Sequence, residues 1–95
     1  MIVNRRTVNV KQIHMDDVLE LLKADRERTG INFRIYAPSI APFDVIAMEI
    51  EFENLSDYEK GWEEWGSTPE AAAFMEKWFT FTERGGTNEI WELVE

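Results

Sequence analysis

Residues 44–53, DVIAMEIEFE, constrain the fold more than any other segment, because apolar and acidic side chains alternate along almost their whole length. Successive side chains of a strand point to opposite sides, so Ile46, Met48, Ile50 and Phe52 share one face while Glu49, Glu51 and Glu53 share the other. One face packs and one is polar. Since this strand lies between two helical segments, the pattern predicts an α+β domain whose sheet carries helices on one side only.

A chain of 95 residues predicts one domain spanning 1–95, and its 44% hydrophobic content with four Trp, six Phe and two Tyr is sufficient for a core. A chain this short buries about two-thirds of its unfolded surface at most, so association with a second copy adds useful burial. Ten basic residues against nineteen acidic ones give a net charge of −9, which repels phosphate backbones and anionic bilayers. Neither nucleic acid nor a membrane surface is expected as a partner. The absence of cysteine excludes a disulfide framework, thiolate catalysis and Cys-ligated metal, and it suits the cytoplasm, the expected compartment. The opening MIVNRRTVNV reaches two arginines before an apolar run long enough for a signal peptide or a membrane span develops.

Along the chain, residues 5–11 alternate Val8 and Val10 against Thr7 and Asn9, predicting a first strand. Asp16 and Asp17 mark the first turn of a helix whose stripe is Met15, Val18, Leu19 and Leu22; Lys23, Arg26 and Arg28 crowd its far end, and Gly30 closes it. Residues 33–37 predict a second strand, and the two prolines of residues 38–42 make that segment a connection. Ser56-Asp57-Tyr58-Glu59 has the form of a capping box opening a short helix. Gly66 interrupts that helix, and Thr68 with Pro69 restarts it as far as about Phe79. Glu83-Arg84-Gly85-Gly86 reads as a turn before a last strand at 87–94. The order is βαββαβ, the ferredoxin-like arrangement, in which the first and third strands are central in a four-stranded antiparallel sheet. Arg5, Thr7 and Asn9 then stand beside Glu49, Glu51 and Glu53, with Arg34 and Tyr36 completing the row.

This length, this element order, the broken aromatic helix GWEEWGSTPEAAAFMEKWF and the ending IWELVE resemble the dimeric α+β barrel superfamily, especially its NIPSNAP-like members. The resemblance implies a homodimer whose two sheets face each other, with helices outside and the polar faces lining a barrel. Members include cofactor-independent monooxygenases, haem-degrading enzymes, lyases and proteins of no known activity. Haem-degrading members take an axial histidine from the second helical region, which has none here, so no cofactor is expected.

His14, the only histidine, has Asp16 and Asp17 nearby and is a candidate general base; the alternative is a surface or capping residue. With no second histidine, no metal site is expected. Tyr36 and Glu49 are the other catalytic candidates. The strand glutamates fit acid–base work only if two of them share a proton. Residues two apart on one strand face are about 7 Å apart, and nearby arginines keep them ionised. Arg34 and Tyr36, with Glu49 and Glu51 orienting the arginine, are the expected ligand-binding group, and Trp62 or Trp65 would cover an apolar ligand part or serve simply as core. Three functional readings result: an uncharacterised barrel protein binding a small organic carbonyl or carboxylate compound, a cofactor-independent monooxygenase-like or lyase-like enzyme on a small aromatic substrate, and a regulatory or interaction module without a ligand.

Overall fold

The computed structural model describes residues 1–95, and its sheet is built around the alternating segment. The elements are β1 (Ile2–Val10), α1 (Met15–Thr29), β2 (Arg34–Tyr36), β3 (Val45–Phe52), α2 (Leu55–Gly66), α3 (Pro69–Phe81) and β4 (Thr82–Glu92). The four strands are antiparallel in the order β2-β3-β1-β4, so the first and third strands are central, as the sequence pattern predicts. Strand parity then assigns every side chain. Val8, Val10, Ile46 and Met48 face the helices and meet Val18 and Leu22 of α1, together with Phe33, in one core. Ile35, Ile50, Phe74, Trp78 and Phe81 pack around it. The odd-numbered residues of β1 and β3 form the opposite, uncovered face.

Local signals explain most boundaries. Asp16 and Asp17 occupy the first turn of α1, Arg26 and Arg28 its last, and Gly30 closes it in the left-handed conformation at φ 71°. Thr68 caps α3 by accepting from the Ala71 amide at 3.3 Å, with Pro69 in the first turn.

Three expectations are corrected. The cap of α2 is Asn54, whose side chain accepts from the Asp57 amide at 2.9 Å, and Ser56 lies inside the helix. β3 ends at Phe52, and extended Asn54 is already placed to receive the helix amides. Residues 83–86 are not a turn: α3 continues to Phe81, Thr82 is extended, and β4 begins there. The two glycines instead form a bulge inside β4. Between the pairs Thr7–Thr87 and Asn9–Glu83, β1 has only Val8, whereas β4 has Arg84, Gly85 and Gly86. The first strand also begins earlier than expected, at Ile2. That places Asn4 and Arg6 on the helix face, in phase with Val8 and Val10.

Candidate functional site

The uncovered face carries a row of alternating charge. Paired register aligns Glu89 of β4, Arg5 of β1, Glu49 of β3 and Arg34 of β2 across the whole sheet. Arg5 reaches Glu49 at 2.9 Å, and Arg34 reaches Glu49 at 3.3 Å and Glu51 at 3.1 Å. Tyr36 donates its hydroxyl to Glu49 at 2.9 Å. These bonds hold the Glu49 carboxyl below its ordinary value, Tyr36 contributing most, then Arg5 and Arg34, against the opposing effect of burial. Thr7 and Thr87 share a hydrogen bond at 2.7 Å in the next row, and Trp91, opposite Val3, is 57% exposed.

The sequence therefore brings Arg34, Tyr36, Glu49 and Glu51 together, but as a group whose donors and acceptors satisfy one another. Exposed ion pairs of this kind contribute little singly. A pH dependence follows from Glu49. A depressed folded-state value means stabilisation present above the unfolded glutamate value of about 4.3, lost as pH falls through and below it. The urea midpoint is expected to drop on acidification from about pH 5 to about pH 3, and Glu49→Gln is expected to flatten that drop. An unchanged slope in the variant removes Glu49 as its source.

Trp62 and Trp65 lie on the other side of the sheet. Trp62 donates to Asn4 at 3.2 Å, and Trp65 donates to Asp25 of α1 at 3.1 Å while its ring meets Phe74 edge-on. The sheet separates them from Arg34 and Tyr36, so the six expected ligand-binding residues do not form one site. His14 stands before α1, 2.8 Å from Asp17 and with its ring 5.0 Å from Phe81, where it makes no side-chain cap. No three metal-ligating side chains converge anywhere.

The helix side holds the more chemically suited space, a cleft of about 360 Å³ between α1, α3 and the β1–β4 half of the sheet. Its apolar wall includes Val8, Leu22, Met48, Phe74, Met75 and Trp78, with the Phe74 and Trp78 rings stacked 5.4 Å apart. Its polar end is Arg6 and Asn88, and the bulge glycines form the rim. The Arg6 guanidinium lies 3.8 Å over the Trp62 ring, its Nε donates to Asn4 at 3.3 Å, and it forms no ion pair. Tyr58 of α2 stands behind, 3.5 Å from the Asn88 amide. Asn88 and, after it, Arg6 pull the Tyr58 hydroxyl below its ordinary value against the cost of burial. Sequence reasoning passed over Asn4, Arg6, Tyr58 and Asn88. The available signal was parity: Asn4 and Arg6 are polar residues at positions in phase with an apolar strand face.

No protein-family model matches the chain, and no curated protein matches it in sequence. Solved structures do match its fold. A NIPSNAP family protein from Agrobacterium tumefaciens superposes with a TM-score of 0.87 at 17% identity, over 99% of this chain and 86% of its own. A protein described as an antibiotic biosynthesis monooxygenase matches at 0.75 and 14% identity over the full length of both. A Bacteroides fragilis protein of unknown function, described as dimeric and ferredoxin-like, matches at 0.60 and 14% over 97% of this chain and 96% of its own. At these identities the likeness is one of fold, and the resemblance read from the sequence holds at that level. No helix is long and apolar enough to cross a membrane.

Proposed function

We propose that the chain works as a homodimer with its uncovered sheet faces apposed, and that each copy binds a small organic carboxylate or carbonyl compound in its helix-side cleft. The observation that carries the reading is Arg6, a guanidinium without an acidic partner at the polar end of a cleft whose other wall is apolar. A planar fork of donors recognises a carboxylate, and stacking on Trp62 fixes its plane. Arg34 and Arg5 are less suited, because Glu49 and Glu51 already occupy them. Dimerisation is supported by the self-neutralising charge row, by exposed Trp91 and Tyr36 on the same face, and by the dimeric description of one fold neighbour.

Two measurements test this. Light scattering after size exclusion is expected to give the mass of two chains of 11.2 kDa; a single-chain mass at micromolar concentration removes the dimer. A panel of small aromatic and aliphatic carboxylates is expected to include compounds that raise the melting temperature, by about 10 °C or more where concentration reaches roughly 100 times Kd. Arg6→Met keeps the stem over Trp62 but loses the charge, and it is expected to abolish that rise. If no carboxylate stabilises the wild type, the cleft is not a site for them.

A second reading, a cofactor-independent enzyme acting on an organic acid in the same cleft, draws on the acidified Tyr58 beside Arg6 and on the monooxygenase-type fold neighbour. Tyr58→Phe would then retain binding and lose turnover.

A further inference from the structure

Asn4 is the most buried polar side chain of the molecule, 1% exposed, and its amide can be turned only one way. Its Nδ2 donates to the Glu89 carbonyl at 2.9 Å, a group that can only accept. Its Oδ1 accepts from the Trp62 indole at 3.2 Å and from Arg6 Nε at 3.3 Å, groups that can only donate. With three one-way partners fixed, the remaining Nδ2 hydrogen goes to Asn88 Oδ1 at 2.7 Å. Asn88 has thereby committed its oxygen and is left with N–H donors only, its nitrogen 3.5 Å from the Tyr58 hydroxyl. Arg6, its Nε likewise engaged, has only N–H donors to give to the Tyr58 hydroxyl and to the cleft that it lines. The orientation of one buried amide thus dictates the hydrogen-bond polarity of a site it does not itself enter.

Resting on the reading of this cleft as a binding site for a small organic compound, we propose that Asn4 is the positioning residue that makes it select a carboxylate over the isosteric neutral amide. It does so by committing the Asn88 oxygen, so that Asn88, like the guanidinium of Arg6, has only donors to offer a ligand. A carboxylate supplies acceptors to both, whereas an amide turns its own hydrogens toward one of them and leaves that donor unpaired.

Benzoate and benzamide at neutral pH are the probes, with affinities measured by calorimetric titration on the wild type, Asn4→Asp and Asn88→Asp. The wild type is expected to bind benzoate at least tenfold more tightly. In Asn4→Asp the new carboxylate can only accept, so it draws the Asn88 nitrogen inward, turns the Asn88 oxygen to the cleft and offsets the Arg6 charge. The benzoate-to-benzamide preference is then expected to fall at least tenfold. Asn88→Asp changes an exposed residue and removes the same donor while keeping an acceptor for Asn4 Nδ2, and it is expected to lower the preference likewise, so a folding failure of the first variant leaves the test standing. A purely structural role for Asn4 weakens both probes together with their ratio unchanged, and that result overturns the proposal. A wild type binding both probes equally overturns the assignment of Asn4 alone; a wild type binding neither overturns it together with the reading of the cleft.

Discussion

Gly86→Ala is expected to destabilise the protein by about 3 kcal/mol or more, whereas Gly85→Ala, one residue away, costs markedly less. Both glycines have positive φ, 103° at Gly85 and 91° at Gly86, so both variants carry the strain of an unfavourable backbone, about 1–3 kcal/mol. What separates them is the neighbour that the new methyl group meets. At Gly86 it would lie 2.2 Å from the Thr7 carbonyl oxygen, a main-chain atom of the central strand that cannot move without breaking pairing. At Gly85 it would lie 2.7 Å from Asn9 Nδ2, the end of a side chain that can rotate after releasing its bond to the Arg84 carbonyl. Urea unfolding of the two variants measures the difference directly. Equal losses would mean that the close crossing of β4 over Thr7 does not constrain the bulge. Because Gly85 and Gly86 also rim the cleft, Gly86→Ala is expected to lose carboxylate-induced stabilisation as well.

Trp91→Asp is expected to convert the proposed dimer into single chains of 11.2 kDa. In an isolated chain this indole is 57% exposed and bonded only to Glu89 at 3.4 Å, so replacing it costs little there. Against a second sheet it becomes an aromatic anchor, and losing such an anchor typically costs about 2 kcal/mol or more. Two-fold symmetry counts the loss twice, giving about 4 kcal/mol and a rise of roughly a thousandfold in the dissociation constant. Light scattering reads the mass, and a concentration-dependent melting temperature reports the coupling of dissociation to unfolding. A variant that keeps the wild-type dimer mass places the interface elsewhere.

The scaffold was legible because its signals are local. Alternation in β3, the acidic and basic ends of α1, and Thr68-Pro69 before α3 each need only a few neighbouring residues to act. The charge row was legible for the same reason, once the central pairing of β1 and β3 was inferred: Arg5 does stand opposite Glu49. The cleft was not. Its polar end is Arg6 and Asn88, which Asn4 links across 84 positions of sequence, and Asn4 joins the strand only because β1 starts at Ile2 rather than Arg5. The bulge misled for a related reason. Two glycines after a helix have the composition of a turn, and only pairing with β1 shows that the strand runs through them. Trp62 and Trp65 lie on the helix side, as their reading as core requires, but grouping them with Arg34 and Tyr36 joined residues that the sheet separates, since nothing in residues 62–65 marks that distance.

The two margins of the sheet differ in construction and share one outcome. β2 is only three residues long and runs into a segment containing Pro38 and Pro42, while β4, though eleven residues long, is distorted by the Gly85–Gly86 bulge. The β2 margin is too short, and the β4 margin is regular only over residues 87–92, so each offers a foreign strand a limited run of free amides and carbonyls. In-plane growth of the sheet, the route toward fibrils, is disfavoured at both ends, while the β3 segment, rich in residues that favour it, is held in the middle of the sheet.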